Sequence, residues 1–190
     1  MAGLAEFAEI IGPSSKPAPS VDWDRIEGEL GLALPSDFKL LCSQYHTLEI
    51  DSFLHLRIVN PIAYSPRAVR EGILETLAAL LPNDDVELEV VDDDNIAYEE
   101  RVFAQYPAKG GLLPWGFTWN GDLLTWETVG EPDKWGVFVT DGAYGWRHAE
   151  GMLDFLGKAL GGTIRCPILP NNGLMDNAHW EYTREELDAQ

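Results

Sequence analysis

Asn120-Gly121, set between apolar runs in LLPWGFTWNGDLLTW (112–126), constrains this chain more than any other pair of residues. A two-residue type I′ turn needs positive φ at both central positions, and Asn-Gly meets that need at least steric cost. Such a turn commits its flanks to an antiparallel hairpin. It pairs Trp119 with Asp122, Phe117 with Leu124, and Trp115 with Trp126, and places all six side chains on one sheet face. Residues 130–134 (GEPDK) make the next turn, 135–140 the next strand, and 145–148 a further strand. A meander of this kind needs helices to cover it.

Helical signals flank the meander. Leu4, Phe7, Ala8 and Ile11 recur at helical spacing, and residues 13–20 (PSSKPAPS) read as a linker. Ser20 or Asp22 can cap a second helix carrying Trp23, Ile26, Glu27 and Leu30 on one side before Gly31 ends it. Ser36 is expected to cap a third, with Phe38, Leu41, Cys42 and Tyr45 in phase. One strand is expected near 52–58. Ser65-Pro66 opens a helix over 66–80 that halts at Pro82, and a last helix spans about 150–160 before Gly161-Gly162. The fold class predicted is α+β: N-terminal helices, a mainly antiparallel sheet with the Asn-Gly hairpin, and a closing C-terminal helix. Residues 21–167 form the domain, with 1–20 and 168–190 as appendages.

The chain of 190 residues carries 13 Lys plus Arg against 32 Asp plus Glu, a formal charge of −19. Duplex binding needs clustered cations to neutralise phosphates, so nucleic acid is excluded as a partner, and anionic membrane surfaces with it. A basic protein is the complementary partner. Residues 84–100 concentrate the charge: Asp84, Asp85, Glu87, Glu89, Asp92, Asp93, Asp94, Glu99 and Glu100, with no Lys or Arg among them. These nine are the candidate partner-binding residues. Val86, Leu88 and Val90 alternate with acids there, which predicts a half-exposed strand.

Tests for chemistry return little. Asp92-Asp93-Asp94 fails the calcium-loop template, with Ala97 where glycine is needed and Phe103 where a bidentate Glu is needed. The histidines and the two cysteines show no metal-ligand spacing. Cys42 and His46 stand four apart on a helix, but Cys42 belongs to the apolar stripe and reads as core. No catalytic residue, metal or cofactor is expected. Trp115, Phe117, Trp119 and Trp126 read as core beneath the helices, with an aromatic binding patch as the other reading. The N-terminus lacks a basic leader region and no apolar run reaches the ~18 residues of a membrane span, so a cytoplasmic location is expected.

The segment WDRIEGELGLALPSDFKLLCSQY (23–45), with Trp23, Leu34, Pro35, Asp37, Phe38 and Lys39, resembles the opening of SUKH-superfamily domains of the Smi/Knr type. A second block carries Trp115-Gly116, then Asn120-Gly121-Asp122, Trp126 and Trp135, and is similar to the core strands of that family. YGWRHAEGMLDFLGKALGG (144–162) is similar to its last strand and helix, so the resemblance spans roughly residues 21–165. It implies a structural role for these motif residues in an α+β domain with no catalytic apparatus. It also implies an immunity protein that binds and neutralises a cognate toxin, often a nuclease or nucleic-acid deaminase. Fungal members instead serve as interaction modules for cellular partners, which is the alternative. His46 stands where the family usually has Gly, and the acidic segment has no counterpart in the family pattern.

Overall fold

The computed structural model describes residues 2–56, 59–62, 64–81, 83, 85–169 and 179–189. In α1 (Ala2–Ile11), Leu4, Phe7 and Ile11 are buried along one stripe. α2 (Trp23–Leu30) starts where the Asp22 carboxylate accepts the Arg25 N–H, and stops at Gly31 in the left-handed conformation. α3 is Ser36–Cys42. Ser36 is its first residue rather than its cap; Pro35 holds the cap position with no side-chain acceptor. The Ser36 N–H donates instead to Asp133 Oδ1 at 2.7 Å, so a distant residue satisfies that helix end.

Where one strand is predicted near 52–58, two short strands form a hairpin, β1 (Thr47–Ile50) and β2 (Leu54–Leu56). Asp51 and Ser52 between them both have positive φ, the pattern of a type I′ turn. Arg57 and Ile58 lie outside the described residues. α4 (Pro66–Leu80) begins at Ser65, whose hydroxyl accepts the Ala68 N–H. Pro82 is outside the described residues. There follow β3 (Asp85–Val91), β4 (Ala97–Ala104), β5 (Leu112–Thr118), β6 (Leu123–Glu127), β7 (Val137–Thr140), β8 (Tyr144–His148) and α5 (Met152–Leu160). α5 does not close the chain, because β9 (His179–Tyr182) and α6 (Arg184–Asp188) come after it.

The nine strands among the described residues join one sheet in the order β4-β3-β8-β7-β6-β5-β2-β1-β9, antiparallel except for the β3–β8 pair. Pleating sends Trp126 and Trp146 to one face, where the Trp126 ring meets Phe38 of α3 and the Trp146 ring meets Phe155 of α5. Phe117, Leu123 and Phe138 point to the other face; there Phe117 lines a groove with Ala68, Gly72 and Thr76 of α4. The sheet is thus a middle layer, with α3 and α5 on its first face and α4 on its second.

The β5–β6 register is one residue off the two-residue prediction. Phe117 pairs with Leu123 and Gly116 with Leu124, and the Thr118 N–H donates to the Asp122 carbonyl at 2.9 Å. Gly121 has φ +92°, whereas Asn120 is not among the residues with positive φ. The connection is therefore a three-residue loop, Trp119-Asn120-Gly121, with glycine in the left-handed position. A bulge at Trp115 brings the strand back into phase, so Trp115 still meets Trp126 with ring centroids 6.0 Å apart.

Both ends expected as appendages are built into the domain. Phe7 is wholly buried, its ring edge-on to Tyr45, and α1 packs along α5. At the other end β9 pairs with β1, Glu49 opposite Trp180. Glu181 accepts hydrogen bonds from Ser14 Oγ and the His46 N–H, which tie the tail to the linker.

Candidate functional site, an acidic ribbon at the sheet edge

Alternation in β3 places Val86, Leu88 and Val90 inward and Asp85, Glu87 and Glu89 outward. Pairing with β4 sets Glu89 opposite Glu100 and Glu87 opposite Val102, while parallel pairing with β8 adds Tyr144 beside Glu89. Asp85, Glu87, Glu89 and Glu100 therefore share the first face of the sheet, all exposed. Among the described residues none of these four makes an ion pair. Like charges directly opposite across a ladder are destabilising, and Glu89 and Glu100 are such a pair.

The second face of the same ribbon is neutralised. Arg147 reaches Glu127 at 3.0 Å and Glu99 at 3.4 Å, and Arg101 reaches Glu127 at 2.9 Å. Both guanidinium groups lie over the Phe103 ring, at 4.9 and 5.4 Å, so they are held by packing as well as by charge. The cations gather on one side of the ribbon and the uncompensated carboxylates on the other.

Two of the remaining acids, Asp92 and Asp93, have local tasks. Asp92 accepts the N–H groups of Asp94 (3.0 Å) and Ile96 (2.9 Å), which shapes the β3–β4 turn around Asn95 at positive φ. Asp93 accepts the Trp146 indole N–H at 2.9 Å and ties that turn to β8. Asp94 is exposed, and Asp84 lies outside the described residues. Of the nine residues singled out by composition, four form one open face and three serve the turn or the arginine network.

No match emerges for this chain among family models, curated proteins or solved structures. Its site must be read from its own geometry.

The motif residues sit in the scaffold. Trp23 packs edge-on to Phe38, Leu34 is buried beside Pro35, and Asp37 accepts the Leu153 N–H at the start of α5, which has no cap of its own. Trp115, Trp126 and Trp135 are core, and a Cβ on Gly116 would press the His55 carbonyl at 3.1 Å. Asp122 is buried, with the Thr118 hydroxyl donating to Oδ2 at 2.6 Å; burial pushes its carboxyl above the usual range. The aromatic group predicted on one face is divided. Trp119 stands 69% exposed in the loop, and Phe117 stacks on His55 at 4.8 Å.

Burial raises the Cys42 thiol far above its usual range and the Cys166 thiol to about 12, so both are held as neutral thiols. His46 Nε2 lies 2.9 Å from the Pro17 carbonyl oxygen. Among the described residues no group of three or more His, Cys, Asp or Glu could hold a metal ion, and no helix is long and apolar enough to cross a membrane. Composition had missed Arg101, Arg147, Val102 and Tyr144. Only Arg101 left a signal, as the cation that directly follows the acidic run.

Proposed function

We propose that this chain is a non-catalytic immunity protein that binds a basic toxin domain, a nuclease or nucleic-acid deaminase, and blocks its cleft. The observation that carries this reading is the division of charge across the β3–β4 ribbon: Asp85, Glu87, Glu89 and Glu100 open to solvent without an ion-pair partner among the described residues, and Arg101 and Arg147 committed to the opposite face. A basic cleft supplies the missing charge and relieves the Glu89–Glu100 repulsion. Long-range attraction between a −19 chain and such a cleft speeds their encounter. The motif resemblance to SUKH-type domains supports the same reading.

The test uses a basic nuclease or deaminase toxin domain, sought first among the genes adjacent to this chain's own. Its catalytic activity should fall in proportion to added chain and vanish near equimolar ratio. The association rate should slow markedly as salt rises to about 0.15 M, where the Debye length is about 8 Å, while dissociation changes less. Replacing Glu87, Glu89 and Glu100 by Gln should reproduce much of that slowing at low salt. An association rate indifferent to both salt and the triple variant would place the interface elsewhere. Undiminished toxin activity would refute the immunity role.

A further inference from the structure

We infer that the outer edge of β4 takes up an extended basic segment of the partner as a tenth strand of the sheet. The inference rests on the basic partner proposed above and names how that partner is held. The Glu89 N–H donates to the Ala143 carbonyl at 3.1 Å, on the β8 side of β3. Backbone groups alternate along a strand, so β3 turns those of Leu88 and Val90 toward β4 and those of Glu87 and Glu89 away. Glu100 and Val102, opposite Glu89 and Glu87, consequently direct their own N–H and C=O groups outward. No described strand pairs with that side.

Edge strands in native proteins are commonly blunted by Pro, Lys, bulges or short length. β4 runs for eight residues with neither Pro nor Lys, and its bulge at Tyr98 is confined to its start. The opposite edge, β9, has four residues and leads into α6. Along β4, Tyr98 (59% exposed) and Val102 (56%) offer apolar area beside the edge. What guards this edge is charge. A second copy paired antiparallel about Glu100 would set Glu100 against its own equivalent, between molecules each carrying −19. A strand alternating cations with small side chains would instead set ammonium or guanidinium groups beside Glu100 and Glu89, and its backbone would satisfy the outward groups of Glu100 and Val102.

A capped peptide of about ten residues alternating Lys and Thr, enough at ~3.3 Å per residue to span β4, is the probe. Its control is the same peptide N-methylated at alternate residues, which keeps the charge and removes the donors. At low salt, binding of the plain peptide should slow amide exchange at Glu100 and Val102, and the methylated one should bind roughly ten-fold more weakly or worse. Val102→Pro deletes an outward donor and leaves the β3 ladder intact; it should lose the same factor. If that variant fails to fold, amide exchange and the methylated control still decide on the unaltered chain. Equal binding of both peptides without protection would overturn strand addition while leaving an acidic docking face. Binding of neither would overturn the inference, and toxin inhibition then judges the immunity reading separately. A dimer of the chain alone that dissolves in Val102→Pro would overturn the choice of occupant.

Discussion

Asp122 is carried by the β5–β6 loop into a buried position where its carboxylate has the Thr118 hydroxyl as donor. Burial raises its pKa above 3.8, the charge of Asp141 adds to the rise, and the Thr118 hydrogen bond opposes it. The folded state therefore binds a proton at higher pH than the unfolded state. Its contribution to stability is full below pH 3.8 and is lost as pH rises through the raised value. Asp122→Asn keeps an acceptor for Thr118 and abolishes this titration. Relative to wild type, its urea midpoint should be higher near pH 7 than near pH 4, and a pH-independent difference would show the group to be solvated. Gly121 makes a different test, since a Cβ there meets open space and the whole cost is conformational. Gly121→Val should destabilise by about 1–2 kcal/mol in denaturant melts.

At the scale of elements, the two chain ends differ in how they are held. α1 contributes Leu4, Phe7 and Ile11 to the core, and Phe7→Ala should cost about 3–5 kcal/mol by denaturant titration. β9 rests on ladder bonds and polar ties, with Trp180 partly exposed, so Trp180→Ala should change stability by less than about 1 kcal/mol. The tail also pairs Glu186 with Lys16 of the linker. Lys16 and the Thr183 N–H hold the Glu186 carboxyl down to about 2, so this tie is intact above pH 4.5 and is lost as pH falls toward 2. Proton titration of Glu186 by NMR, with Lys16→Ala returning it toward 4.5, checks the contact.

For the whole molecule, the charge of −19 acts on folding and on binding with opposite signs under salt. Self-repulsion among exposed carboxylates opposes the compact state, and screening weakens it. Raising salt from low levels to about 1 M, where the Debye length is about 3 Å, should raise the melting temperature while slowing association with a basic partner. Thermal melts and binding kinetics on one salt series separate the two effects. A melting temperature that falls with salt would mean that ion pairs such as Arg147–Glu127 outweigh the repulsion.

Features that depend on a few neighbouring residues were legible in the linear chain. The Asp22 cap, the left-handed Gly31, Ser65-Pro66 at the head of α4 and the in-out alternation of β3 are settled within about four residues. Acidity over 84–100 was equally plain, but its division was not. Which carboxylates face solvent follows from β8 lying parallel to β3 and from Arg101 and Arg147 gathering over Phe103. Asn-Gly marked the β5–β6 turn without setting its length. The register moved by one residue, and the Trp115 bulge absorbed the shift so that this ring could still meet Trp126 and Phe155. Ser36 was the natural cap of α3, yet Asp133, ninety-seven residues on, took the free N–H. β1 and β9 are each four residues long and hold their places by pairing across the length of the chain, Thr47 opposite Tyr182. Short-range energetics chose the turns and caps; register, edges and the open acidic face were decided by contacts between residues that no local window contains.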